Sequence, residues 1–134
     1  MKVIDTSAFL MYVFREEGWD QVREELRKGV VSVDLLLKEA LNAILTRLRR
    51  GDITIKEAEA MGESLKDLWG TAIEIRPEIE FVDDAFAVAK QKAFSLYDAL
   101  FIALAKSEGF SLLTLDRTQA RVARELKVSC KLVQ

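Results

Sequence analysis

Four acidic side chains stand where they can do chemistry together. Asp5 closes the short apolar run Lys2–Ile4, and Asp116 closes the run Ser111–Leu115. Glu39 lies in DLLLKEALNAIL and Asp98 in SLYDALFIALA, two segments with helically spaced apolar residues. Carboxylates that converge cannot all stay ionised without a compensating cation. A donor set of oxygens, without imidazole or thiolate, selects a hard ion such as Mg²⁺ or Mn²⁺. Such an ion activates water and stabilises charge on a phosphate, the chemistry of phosphodiester hydrolysis.

Each of these residues also has an ordinary reading. Asp5 and Asp116 are favoured N-caps for the helices that follow them. Asp98 stands three residues after Ser95, the spacing of a capping box. Glu39 lies off the main apolar stripe of its helix, on a face with Leu35, Asn42 and Ala43, which suits a solvated glutamate. The Asp98 helix is apolar on nearly every side, so Asp98 is expected to be buried, where an unpaired charge is costly.

Composition narrows the chemistry further. The chain has 134 residues, half of them hydrophobic, 31% charged, with one Pro and six Gly. That describes one folded domain, residues 1–134, and excludes disordered or collagenous chains. There is no histidine and one cysteine, Cys130, so a Ser-His-Asp or Cys-His triad, a disulfide framework and a Cys- or His-ligated zinc are all excluded. A net charge of −2 argues against a basic nucleic-acid module. It leaves a metal-dependent nuclease open, because cations supply local positive charge. No apolar run approaches the ~20 residues that span a bilayer, and MKVIDTSAFL lacks a signal-peptide pattern. A soluble, cytoplasmic protein with no membrane partner is expected.

The elements that must position these side chains alternate. Strands are expected at Lys2–Ile4, Val30–Val33 (interrupted only by Ser32), Ile73–Arg76, Ser111–Leu115 and Ser129–Val133. Between them, Thr6 or Ser7 caps a helix through Phe14, and a second helix fits Gly18–Lys28. Asp34 caps a long helix to Arg50, stopped by Gly51, with Leu36, Leu37, Ala40, Leu41, Ile44 and Leu48 as its stripe. Thr54 and Glu57 make a capping box for a helix to about Trp69. Further helices fit Ile79–Phe94, Leu96–Glu108 with Gly109 behind it, and Thr118–Leu126. Short apolar strands alternating with helices predict an α/β fold with a mostly parallel sheet covered on both faces. Sites in such sheets lie beyond the carboxyl ends of the strands, where strand order reverses. The first and fourth strands are therefore expected side by side, with Asp5 and Asp116 in one crevice.

VIDTSAFL, the KEALNAI helix, the YDALFIALA helix and the strand end LLTLD, taken in order, resemble the PIN domain family and, within it, the VapC-type toxins of toxin–antitoxin pairs. The resemblance covers nearly the whole chain. It implies a PIN-like three-layer α/β/α sandwich with a five-stranded sheet and an acidic site of Asp5, Glu39, Asp98 and Asp116. It also implies a Mg²⁺- or Mn²⁺-dependent endoribonuclease acting on RNA, a homodimer, and a small VapB-like antitoxin as inhibitory partner. Thr6, Ser7, Asn42 and Thr114 would orient the carboxylates or bound water. A housekeeping RNA-processing nuclease and a non-catalytic scaffold of the same fold are the alternatives.

Arg47, Arg49 and Arg50 end the Glu39 helix. They read either as contacts to RNA phosphate or as cations compensating a helix C-terminus. Asp83 and Asp84 read as dipole-compensating charges near a helix start. Phe9, Tyr12, Val13, Phe14 and Trp69 read as core, and Cys130 as a small buried hydrophobe. A phospho-receiver domain would need an aspartate at the end of the third strand, where Arg76 and Pro77 stand.

Overall fold

The computed structural model describes all of residues 1–134. In chain order the elements are β1 (Lys2–Ile4), α1 (Thr6–Val13), α2 (Trp19–Lys28), β2 (Val30–Val33), α3 (Leu35–Arg50) and α4 (Ile55–Leu68). They continue with β3 (Ile73–Arg76), a 3₁₀ turn (Glu78–Phe81), α5 (Val82–Lys92), α6 (Leu96–Glu108), β4 (Ser111–Thr114), α7 (Arg117–Glu125) and β5 (Cys130–Leu132).

The five strands form one sheet in the order β3-β2-β1-β4-β5, every pair parallel. β1 lies at the centre, with Lys2, Val3 and Ile4 in register with Ser111, Leu112 and Leu113. Strand order reverses between β1 and β4, because the chain first winds outward to β3 and then returns to β4. Right-handed crossovers put α1–α4 on one face and α5–α7 on the other. The packing agrees: α1 touches α2 and α3, α3 touches α4, and α5 lies along α6. Strands covered on both faces must be apolar throughout, and β2 is buried at all four positions. α6 contributes seven consecutive buried residues, Ala99–Ala105, to the core under the sheet.

Several element boundaries differ from expectation for local reasons. The cap of α1 is Asp5, whose side chain accepts the Ala8 N–H, so Thr6 and Ser7 lie inside the first turn. Asp34 makes no capping bond to α3. Its Oδ1 instead accepts the Glu78 N–H at 2.7 Å, fixing the chain after β3. That stretch forms the 3₁₀ turn, so α5 begins at Val82 rather than Ile79 and ends at Lys92, with Ala93 in the left-handed region. Ser95 caps α6 through the Tyr97 N–H, and Asp98 takes no part, so the capping-box reading of Asp98 falls. The Thr54–Glu57 box of α4 is complete.

Among the aromatic residues, Phe9 is buried, whereas Tyr12, Phe14 and Trp69 are only partly covered. Cys130 is half-buried on the edge strand rather than enclosed. No helix is long and apolar enough to cross a membrane.

Candidate functional site at the carboxyl edge of the sheet

Asp5 follows β1 and Thr114 ends β4, so the two meet at the sheet's carboxyl edge. Asp5 is almost fully buried. Its Oδ1 accepts from Ser7 Oγ at 2.7 Å and from the Ala8 N–H at 3.0 Å. Its Oδ2 accepts from Thr114 Oγ1 at 2.5 Å. Ser7 and Thr114 each have one hydroxyl proton, and both are given to Asp5, so the 3.2 Å approach of the two oxygens is a contact rather than a third bond. Each hydroxyl also accepts from backbone, Ser7 from Leu115 N–H at 2.9 Å and Thr114 from Asp116 N–H at 3.0 Å. One lattice of bonds therefore ties the end of β1 to the turn that carries Asp116.

Asp116 is exposed and caps α7, accepting the Thr118 and Gln119 N–H groups. Glu39, half-buried on α3, accepts from Thr6 Oγ1 at 2.5 Å. Asn42, one turn along, is exposed, so Glu39 is held from α1 rather than by its own helix. Asp98 stands in the first turn of α6 and is half-buried, not enclosed, because that turn lies ahead of the seven-residue buried run.

Electrostatics link the four residues across four elements. Burial pushes the Asp5 carboxyl up to about 6, against the lowering effect of the bonds from Thr114, Ala8 and Ser7, with the Asp116 charge adding to the rise. The Asp98 carboxyl is also raised, first by burial, then by the charges of Glu39 and Asp116. Asp98 thus senses a carboxylate from each face of the sheet. No three acidic side chains are gathered closely enough to coordinate one ion as they stand. Their donor chemistry nevertheless suits a hard cation: every group is an oxygen, and burial raises both the Asp5 and the Asp98 carboxyl.

The edge is open. None of the chain's four cavities is lined by Asp5, Glu39, Asp98 or Asp116. The arginines expected near the site divide. Arg47 lies over the Phe14 ring, 3.6 Å from its centroid, while Arg49 and Arg50 are exposed at the end of α3.

Two residues that shape the edge escape sequence reasoning. Ser32 looks only like an interruption in Val30–Val33, yet its Oγ donates to the Ile4 carbonyl at 2.8 Å, fixing the backbone just before Asp5. Gln119 is buried beside Asp116. The signal for it is the Asp-x-x-Gln spacing of residues 116–119, a capping-box pattern.

A family model for the PIN domain matches residues 2–125. The chain is 33% identical over 120 residues to Ribonuclease VapC3 of Pyrobaculum aerophilum, an alignment covering 88% of this chain and 91% of that one. The fold matches the crystal structure of PAE2754 from P. aerophilum with a TM-score of 0.68 at 21% identity, over 90% of this chain and 83% of that one. It matches FitAcB from Neisseria gonorrhoeae with a TM-score of 0.66 at 18% identity, over 97% and 96% of the two chains. It also matches VapBC2 from Rickettsia felis, bound to a DNA fragment from their promoter, with a TM-score of 0.68 at 14% identity over 99% and 98%. The model match over nearly the full length, the VapC3 relative and the reversal of strand order beside Asp5 agree: this chain belongs to the PIN domain family.

Proposed function

We propose that the protein is a VapC-like endoribonuclease that hydrolyses RNA phosphodiester bonds at the carboxyl edge of its sheet. The observation that carries this reading is the hydrogen-bonded carboxyl edge, where Ser7 and Thr114 hold the buried Asp5 beside the turn that carries Asp116. Asp5, Glu39, Asp98 and Asp116 would hold Mg²⁺ or Mn²⁺, which when bound supplies an activated water and stabilises charge on the phosphate. Thr6 orients Glu39, while Ser7 and Thr114 hold Asp5 with both oxygens engaged. With no histidine in the chain, a carboxylate at this edge is the base we assign to take the proton from the attacking water. The absence of an enclosing cavity at the edge suits a polymer that passes across it, and Arg49 and Arg50 are free to meet its phosphates. Asn42 faces solvent and is available to water or substrate.

The Ribonuclease VapC3 relative supports RNA as substrate. The structural neighbour VapBC2 supports a small antitoxin as the inhibitory partner, and the reading places the protein in the cytoplasm, where RNA and antitoxin meet. A homodimer accords with the apolar surface that α3 and α4 leave exposed at Leu41, Leu45 and Ile55. Light scattering should give twice the 15.2 kDa chain mass, and a monomer would refute the dimer.

The decisive experiment is single-turnover cleavage of a structured RNA panel, with metal and with chelator, for wild type and for each of the four amides Asp5→Asn, Glu39→Gln, Asp98→Asn and Asp116→Asn. Cleavage should need Mg²⁺ or Mn²⁺ and fall by orders of magnitude in each folded variant. Wild-type rates in any two of them would leave a non-catalytic scaffold in place of a nuclease.

A further inference from the structure

Asp116 and Gln119 occupy the N-cap and third helical positions of α7, the places of a capping box. Half of the box is built: Asp116 Oδ1 accepts the Gln119 N–H at 3.2 Å. The other half, in which the third side chain accepts the cap residue's own N–H, is missing, because that N–H goes to Thr114 Oγ1 at 3.0 Å. In α4 the same reciprocal bond is made, from the Thr54 N–H to Glu57 Oε1 at 3.0 Å. The Gln119 carboxamide is left 1% exposed with neither its oxygen nor its nitrogen partnered. Its buried neighbours on α7 are Ala120, Val122 and Ala123, so an apolar side chain would suit the position better. Long helical side chains tend to fold back over the preceding turn, the direction in which the Asp116 backbone lies.

We propose that Gln119 is a positioning residue for Asp116: its carboxamide oxygen is the alternative acceptor for the Asp116 N–H, so the 114–116 turn exchanges between a bond to Thr114 and a bond to Gln119. In the first arrangement one hydroxyl oxygen, Thr114 Oγ1, serves both Asp5 and the Asp116 backbone and fixes the spacing of the two carboxylates. In the second, Thr114 stays on Asp5 alone and Asp116 moves with the first turn of α7. The Asp116 carboxylate can then shift relative to Asp5 with its own N–H still bonded. Its importance for catalysis rests on the nuclease reading above, but the exchange itself does not.

The test uses the metal-free protein without RNA, so its failure is distinct from failure of the nuclease reading. Gln119→Met keeps side-chain length and removes the acceptor. Amide exchange at Asp116, followed by NMR, should become several-fold faster in this variant while amides in the middle of α7 are unchanged. An unchanged Asp116 amide overturns the proposal. Thermal denaturation supplies a second reading in two backgrounds. Gln119→Met should raise Tm in the wild-type chain, where it removes an unpaired buried amide. It should lower Tm in Thr114→Val, where Gln119 is the acceptor that remains. A shift of the same sign in both backgrounds overturns the proposal, and if Thr114→Val does not fold the exchange measurement decides alone.

Discussion

Asp5 does two jobs that pull in opposite directions. As the cap of α1 it must accept hydrogen bonds, and as a buried acid it resists ionisation. Raised from 3.8 to about 6, its carboxyl binds a proton more tightly in the folded chain than in the unfolded one. Its stabilising contribution is therefore complete below pH 4 and is lost as pH rises through 6, a swing of roughly 3 kcal/mol for a shift of this size. In chelator, Asp5→Asn should be more stable than wild type at pH 7, with the difference shrinking toward pH 4. The amide oxygen can keep the Ala8 and Ser7 bonds, and its NH₂ can donate to Thr114. Urea denaturation at the two pH values checks this, and a pH-independent difference would contradict it. At this scale the sequence was partly legible. The four candidate acids stood out by their strand-end and helix contexts, and the resemblance put Thr6, Ser7 and Thr114 beside them. The half-exposure of Asp98 did not, because an apolar helix says nothing about where its first turn ends relative to the sheet.

Among the elements, α2 is fastened by a residue whose type gave no warning of its burial. Glu25 is 3% exposed and receives Lys2 at 2.9 Å, Lys131 at 3.1 Å and Lys28 at 3.6 Å, which joins α2 to β1 and β5. Burial alone would raise its carboxyl, but the hydrogen bonds and charges of Lys2 and Lys131 more than offset that and hold it below 4.5. Its contribution is present above pH 4.5 and lost as pH falls through the lowered value. Glu25→Gln should cost about 2 kcal/mol at pH 7, in the range of bonds to charged groups, and less at pH 3. Equal losses at both pH values would show that packing, not charge, fastens the helix. Strand positions, the α4 box and the α6 boundaries were all legible, since each depends on neighbours in sequence. Asp34 was misread because its partner, the Glu78 N–H, depends on how the chain returns after β3. Glu25 was missed for a similar reason: its three lysines arrive from chain positions as far apart as 2 and 131.

For the whole molecule, carboxylates converging on one edge, as the proposed site has them, would load the fold in a way that a divalent cation should relieve. Millimolar Mg²⁺ or Mn²⁺ should raise Tm through preferential binding to the folded state. Asp98→Asn should weaken that rise while stabilising the metal-free protein, since burial and two neighbouring charges already disfavour the ionised acid. Coincident melting curves with and without metal would count against the site. The sheet order was legible only as the adjacency of β1 and β4, inferred from matched aspartates. The sidedness of the helices needed the full topology.

That topology also orders events in time. The central strand is made before every other strand of the sheet, yet one of its two flanks stays open until residues 111–114 exist. At ribosomal speeds of about 5–20 residues per second, Asp116 follows Asp5 by roughly 6–20 s. Through that interval the growing chain holds Asp5 without the threonine that fixes it and without the acid that faces it. If the edge cuts RNA, a nascent chain that has not yet reached Asp116 cannot turn that edge on the message that encodes it.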